Sequence, residues 1–197
     1  EDAGGLWEAK AAADTSACTC TSSFCGGSSS RPGPCPLDSW TSRSLDTNPC
    51  GDGWDNFGGG WLDMVCDARD GRVVYVYLSD DGVGGELLPF FGRLGALQYL
   101  DLYNSPALRG DVADLAGATE LLYLDLSNCP LVVGEAAALA ALVHLGERYT
   151  VTAGCPYTSG CTGLLHLEGS GVHGPVAALR ALPGLGADWR SGAATVG

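Results

Sequence analysis

Residues 97–108 read LQYLDLYNSPAL, and residues 121–132 read LLYLDLSNCPLV. They place Leu97, Leu100 and Leu102, then Leu121, Leu124 and Leu126, at the same offsets 24 residues apart. One step upstream, Val73, Val76 and Leu78 hold the same positions. One step downstream the pattern decays, because Leu145 is followed by Arg148 and Thr150. It resumes at Leu165 and Leu167, after a shortened unit that contains Cys155 and Cys161. Leu179, Leu182 and Leu185 then lead to Asp188-Trp189, which reads as a last, imperfect strand. A fixed period of this length marks a repeat architecture, and it decides the fold.

Within each unit the x-L-x-L alternation puts every second side chain on one face, as in a short half-buried strand. A polar turn such as Ser79-Asp80-Asp81-Gly82 follows, and a return segment such as Leu87-Leu88-Pro89-Phe90-Phe91 brings the chain back. One coil cannot cover its own apolar edge, so successive coils must stack with their strands parallel. Each buried Leu or Val contributes roughly 1.5–3 kcal/mol, so several coils are needed to offset chain entropy.

These units resemble leucine-rich repeats of the LxxLxLxxN/CxL type. VVYVYLSDDGVGGELLPFFGRLGALQYL is further similar to the plant-type subclass, whose repeat contains LxGxIPxxLxxLxxL. The resemblance covers residues 73–185 and places Cys129 at the N/C position inside the coil. It implies an α/β fold, a right-handed solenoid of about five coils with short parallel strands on the concave face. Cys50, Trp54, Trp61, Val65 and Cys66 resemble the cap that precedes such arrays, and LWEAKAAAD reads as an amphipathic helix of that cap. The expected divisions are a Cys-rich extension and cap over 1–72, a solenoid over 73–190 and a tail over 191–197.

Cysteine usage bounds the compartment. Cys18, Cys20, Cys25, Cys35, Cys50 and Cys66 crowd a Ser/Gly/Pro-rich stretch too polar to hold together by burial. Such density points to disulfides formed in an oxidising compartment. Zinc is the rival reading, but CxxC pairs are absent and His144, His166 and His173 lie far downstream. Cys155 and Cys161 are expected to staple an irregular loop, which leaves Cys129 unpaired; the connectivity of the N-terminal cysteines stays open. The start EDAGGLWEAK reads as a mature chain, and N-x-S/T sequons are absent. Secretion is expected, with an organelle lumen such as the thylakoid lumen as the alternative.

The net charge of −13 excludes nucleic acid and anionic lipid as favoured partners. A protein with a neutral or basic surface is the expected partner, and a glycan is the alternative. No apolar run approaches the ~20 residues of a membrane span.

Three patterns invite a chemical reading and fall short of one. Gly169, Gly171 and Gly174 match GxGxxG, but they coincide with the turn of a repeat and lack the acidic residue about 20 positions on. His166 is expected to point outward from its strand, while His144 and His173 lie on different parts of their coils, and no Ser–His–Asp or Cys–His arrangement suggests itself. Asp63, Asp67, Asp70, Asp80 and Asp81 lack the alternation of an EF-hand loop. No cofactor, metal or catalytic residue is expected.

The tyrosines carry the functional reading. Tyr75, Tyr77, Tyr99, Tyr103, Tyr123 and Tyr149 fall in predicted strands. Tyr75, Tyr99 and Tyr123 share one repeat position, so stacking should align them at roughly 4.8 Å per step. Asp101, Asp125 and Glu147 are the expected out-pointing neighbours. The family resemblance makes this strand face the ligand surface, and tyrosine suits interfaces and sugar stacking alike. The expected function is a non-catalytic protein-interaction or scaffolding module, with this face or the uncovered solenoid edge as its binding surface. The alternative is carbohydrate or wall-polymer binding, or inhibition of an enzyme.

Overall fold

A computed structural model of the chain describes residues 13–14, 64–67, 69–147 and 165–182. The apolar grid becomes a ladder. Strands β2 (Met64–Cys66), β3 (Val73–Tyr77), β5 (Tyr99–Asp101), β7 (Tyr123–Asp125) and β9 (Leu165–His166) form one sheet in that order. The pairs from β3 to β9 are parallel, with Tyr75 opposite Tyr99 and Tyr99 opposite Tyr123.

A second sheet, absent from the sequence expectation, runs β1 (Ala13–Asp14), β4 (Gly84–Glu86), β6 (Leu108–Asp111), β8 (Val132–Glu135) and β10 (Gly171–His173). It occupies what the sequence suggests is only turn. Each coil returns through a short helical segment: α1 (Leu88–Phe91), then 3-10 turns at Val112–Gly117, Ala136–Ala141 and Val176–Ala181. The expected return segment, 87–91, is therefore helical over its last four residues, with Pro89 in the first turn, where its missing N–H costs nothing.

The core is a set of columns running through the coils. Val76, Leu100, Leu124 and Leu165 form one, and Phe91, Leu115, Leu139 and Leu179 another, all fully or nearly fully buried. Two glycines let the helical returns of neighbouring coils meet backbone to backbone. A Cβ on Gly92 would strike the carbonyl oxygen of Asp114, and one on Gly117 would strike that of Gly92.

The shortened unit after Leu145 lies largely outside the described residues, but its two ends are placed. Gly146 donates its N–H to Leu122 (2.9 Å), and Leu165 is the register partner of Leu124. The fourth strand position is thus begun by Gly146-Glu147 and completed by Leu165-His166. Residues 148–164 separate these two parts in the sequence and lie outside the described residues, within which four coils stack.

The N-terminal part closes the leading edge of both sheets with antiparallel strands. β2 pairs with β3, and β1 pairs with β4 through Ala13–Gly85 and Asp14–Gly84. The helix expected over 6–14 therefore does not include its last two residues. Unpaired N–H and C=O groups along the β4 edge offer them partners, and that outweighs helix propensity.

Cys66 is disulfide-bonded, and Cys129 is a free, buried thiol. Cys18, Cys20, Cys25, Cys35, Cys50, Cys155 and Cys161 lie outside the described residues, as do Trp54, Trp61, Tyr149 and Trp189.

Candidate functional site

Parallel register converts the tyrosine repeat into a stack. The rings of Tyr75 and Tyr99 lie 4.2 Å apart at 13°, and those of Tyr99 and Tyr123 lie 4.1 Å apart at 6°. Both distances are shorter than the roughly 4.8 Å strand spacing, so the rings lean together to close the gap. Tyr99, sandwiched on both faces, is only 8% exposed. Tyr75 and Tyr123 at the two ends are half-buried.

Two residues along each strand, on the same face, runs a second row. Tyr77 is in register with Asp101, Asp101 with Asp125, and Asp125 with His166. The rows are tied within each strand: the Tyr99 hydroxyl donates to Asp101 Oδ2 (3.3 Å) and the Tyr123 hydroxyl to Asp125 Oδ2 (3.4 Å). The other carboxylate oxygens end the strands. Asp101 Oδ1 accepts the Tyr103 N–H (3.1 Å), and Asp125 Oδ1 accepts the Ser127 N–H (2.8 Å).

This cap explains why Tyr103 lies in a turn rather than in the predicted strand. The next residue, Asn104, has φ 55°, and its counterparts Asp80 and Asn128 have φ 61° and 56°. Asp and Asn tolerate this left-handed conformation better than most residues, so the chain turns away there in three successive coils. Asn104 Nδ2 donates to Asp80 Oδ1 (2.8 Å), linking two of the turns.

Asp101 lies on the same face as the tyrosines but is only 6% exposed. Burial pushes its carboxyl up to about 6; the nearby Asp125 charge adds to the rise, while the Tyr103 N–H opposes it. The Tyr99 and Tyr123 hydroxyls are raised well above the ordinary phenol value, first by burial and then by neighbouring charge. They stay protonated and remain donors at any physiological pH. The face is therefore acidic, aromatic and internally hydrogen-bonded.

The remaining candidates stay apart from it. Gly169 sits in a turn, Gly171 lies in β10, and Gly174 follows at φ 115°. His144 pairs with Glu147 (3.1 Å) and His173 with Glu135 (3.3 Å). Asp67 Oδ1 accepts the Arg69 N–H (2.8 Å), and Asp70 is held by Arg72 (2.7 Å), which keeps its carboxyl below the ordinary range. Among the described residues, no group of three His, Cys, Asp or Glu is placed to hold a metal.

The structure adds His166 to the site. Its ring lies 6.0 Å from that of Tyr123, tilted by 54°. The insertion hid this in the sequence, because a 24-residue step from Asp125 lands on Tyr149.

Comparison with known proteins gives no match to any protein-family model and none to a curated protein. Solved structures do match. The crystal structure of PEPR1–AtPEP1 has a TM-score of 0.60 at 21% identity, covering 93% of this chain and 20% of that one. The ectodomain of the Arabidopsis receptor kinase HAESA, in complex with an N-terminally extended IDA peptide hormone, has a TM-score of 0.51 at 28% identity. That match covers 74% of this chain and 20% of HAESA's. HAESA with IDA and the co-receptor SERK1 gives a TM-score of 0.51 at 26% identity, over the same shares of the two chains. The chain spans about a fifth of the length of the chains it matches. No helix among the described residues is long and apolar enough to cross a membrane.

Proposed function

We propose that this chain, a plant-type leucine-rich-repeat protein, is a non-catalytic protein-interaction module that binds a polypeptide on the strand face of its first sheet. The observation that carries the reading is the register-locked stack of Tyr75, Tyr99 and Tyr123 beside the row Tyr77, Asp101 and Asp125. A face whose side chains are already fixed by stacking and hydrogen bonds loses little entropy on binding. Tyrosine there offers rigid apolar area with a donor tip, which is what interface hot spots use. Tyr103 in the adjoining turn flanks the same face, and Tyr149 lies outside the described residues. HAESA, matched at 28% identity, is an ectodomain in complex with a peptide hormone, which supports a peptide or protein ligand and an extracellular setting. The proposed organisation keeps a disulfide-stapled cap over 1–72 ahead of the repeats.

The carbohydrate alternative is weaker. Sugar stacking along the row needs several open ring faces, and Tyr99 has both of its faces covered by neighbouring rings, which leaves only the end rings for it. The two readings separate when the full chain is screened in parallel against a displayed linear-peptide library and a glycan array. Enrichment of peptides with an empty glycan array is the expected outcome. Glycan binding with no peptide enriched overturns the reading.

A further inference from the structure

The stack is unequal at its two ends, and the inequality points to the chemistry of the partner. Tyr75 has Val65 of β2 as its register neighbour on the outer side. Beyond Tyr123 the parallel stacking stops, since His166 stands 6.0 Å away and tilted. Half-buried Tyr123 thus has one ring face that no parallel ring covers among the described residues.

Beside it, Asp125 is also half-buried. Its Oδ1 is taken by the Ser127 N–H at 2.8 Å, but among the described residues Oδ2 has only the long 3.4 Å contact with the Tyr123 hydroxyl. That oxygen retains accepting capacity. Asp101 is one strand further in; at 6% exposure it is too buried to touch a partner, but it adds negative charge behind Asp125.

The first sheet contains no lysine or arginine among the described residues; its one histidine, His166, is the register partner of Asp125. The five arginines among the described residues lie elsewhere. Arg69 and Arg72 are in or beside the turn before β3, Arg93 stacks on Phe90 at 4.9 Å, Arg109 lies in β6 and Arg180 in the last 3-10 turn.

We infer that Tyr123 and Asp125 form a subsite for one arginine side chain of the bound polypeptide. This rests on the strand face being the protein-binding surface. A guanidinium matches both halves of the subsite: its plane stacks on the open tyrosine face while its N–H fork reaches Asp125 Oδ2. A lysine ammonium offers the charge without the stacking plane, so it binds less well. An uncharged planar side chain offers the plane without the charge.

The test uses the full chain and a displayed random linear-peptide library, panned at low salt. The selected peptides are expected to share an arginine. Replacing that arginine by citrulline, which keeps the plane and removes the charge, should weaken binding roughly tenfold, and Asp125→Asn should do the same. Combining the two changes should cost little more than either alone, because both remove one interaction. Peptides that lose affinity in Tyr123→Leu yet tolerate citrulline overturn the arginine subsite and leave the face as the binding surface. Peptides indifferent to Tyr123→Leu and to Asp125→Asn overturn both, with melting of each variant confirming its fold.

Discussion

Asp101 and Asp125 are register partners on adjacent parallel strands, so two carboxylates sit one strand spacing apart, the first buried and the second half-exposed. Proximity and burial together raise the Asp101 carboxyl from 3.8 to about 6. The folded chain therefore holds this proton more tightly than the unfolded chain does. Its contribution to stability is fully present below pH 3.8 and is lost as the pH rises through about 6. The penalty at neutral pH is on the order of 3 kcal/mol. Urea unfolding of the wild type and Asp101→Asn at pH 5 and pH 7.5 should show the variant gaining relative stability at the higher pH. A difference between the two proteins that does not change with pH contradicts the placement of Asp101.

Ser105 and Cys129 hold the same buried position in successive coils, with opposite outcomes. The Cys129 thiol donates to the Leu102 carbonyl (3.1 Å), and burial pushes it up to about 11. The Ser105 hydroxyl is fully buried with no hydrogen-bond partner. Ser105→Ala should be neutral or stabilising by up to about 1 kcal/mol, whereas Cys129→Ala should cost about 1–2 kcal/mol. Native Cys129 should also resist maleimide at pH 8 and react once the chain is unfolded in urea. Equal destabilisation by both substitutions, or rapid labelling of the native protein, speaks against this packing.

Excising residues 148–164 joins Glu147 to Leu165 and leaves LGELHLEGSGV, an uninterrupted LxxLxLxxSxV repeat. The ladder on either side is already paired as though the insertion were absent. The shortened chain should fold and unfold cooperatively, losing no more than about 1 kcal/mol, because the described ladder pairs across the join and a shorter connection costs less closure entropy. A shortened chain that cannot fold would assign those residues to the core.

The sequence exposed what depends on period and hid what depends on pairing. The columns Val76–Leu100–Leu124 and Tyr75–Tyr99–Tyr123 could be read directly, because a 24-residue grid in stacked coils must superpose equal positions. The second sheet could not. Strands such as Leu108–Asp111 and Val132–Glu135 each bury only their first residue, so they carry no period-two signature. The left-handed glycines Gly110 and Gly134 within them look like turn residues until the ladder is seen. The sequence showed that the pattern is interrupted between Leu145 and Leu165, but only the Leu124–Leu165 register shows where the chain rejoins the ladder. Within the site, the sequence aligned the aromatic row but missed that Asp101 is covered on that face and caps the Tyr103 N–H, and that His166 belongs to the row of Asp125.

The exposed Leu131, Val133 and Val143 all lie in one coil, away from the tyrosine face, and offer an internal control for location. The most direct test of the central claim is the equilibrium affinity of a panned peptide for wild-type chain, Tyr123→Ala and Val133→Asp. The account predicts a loss of at least about tenfold in Tyr123→Ala and none in Val133→Asp, with both variants melting cooperatively. Unchanged affinity in Tyr123→Ala, with binding lost in Val133→Asp, would contradict it by moving the partner to the second sheet.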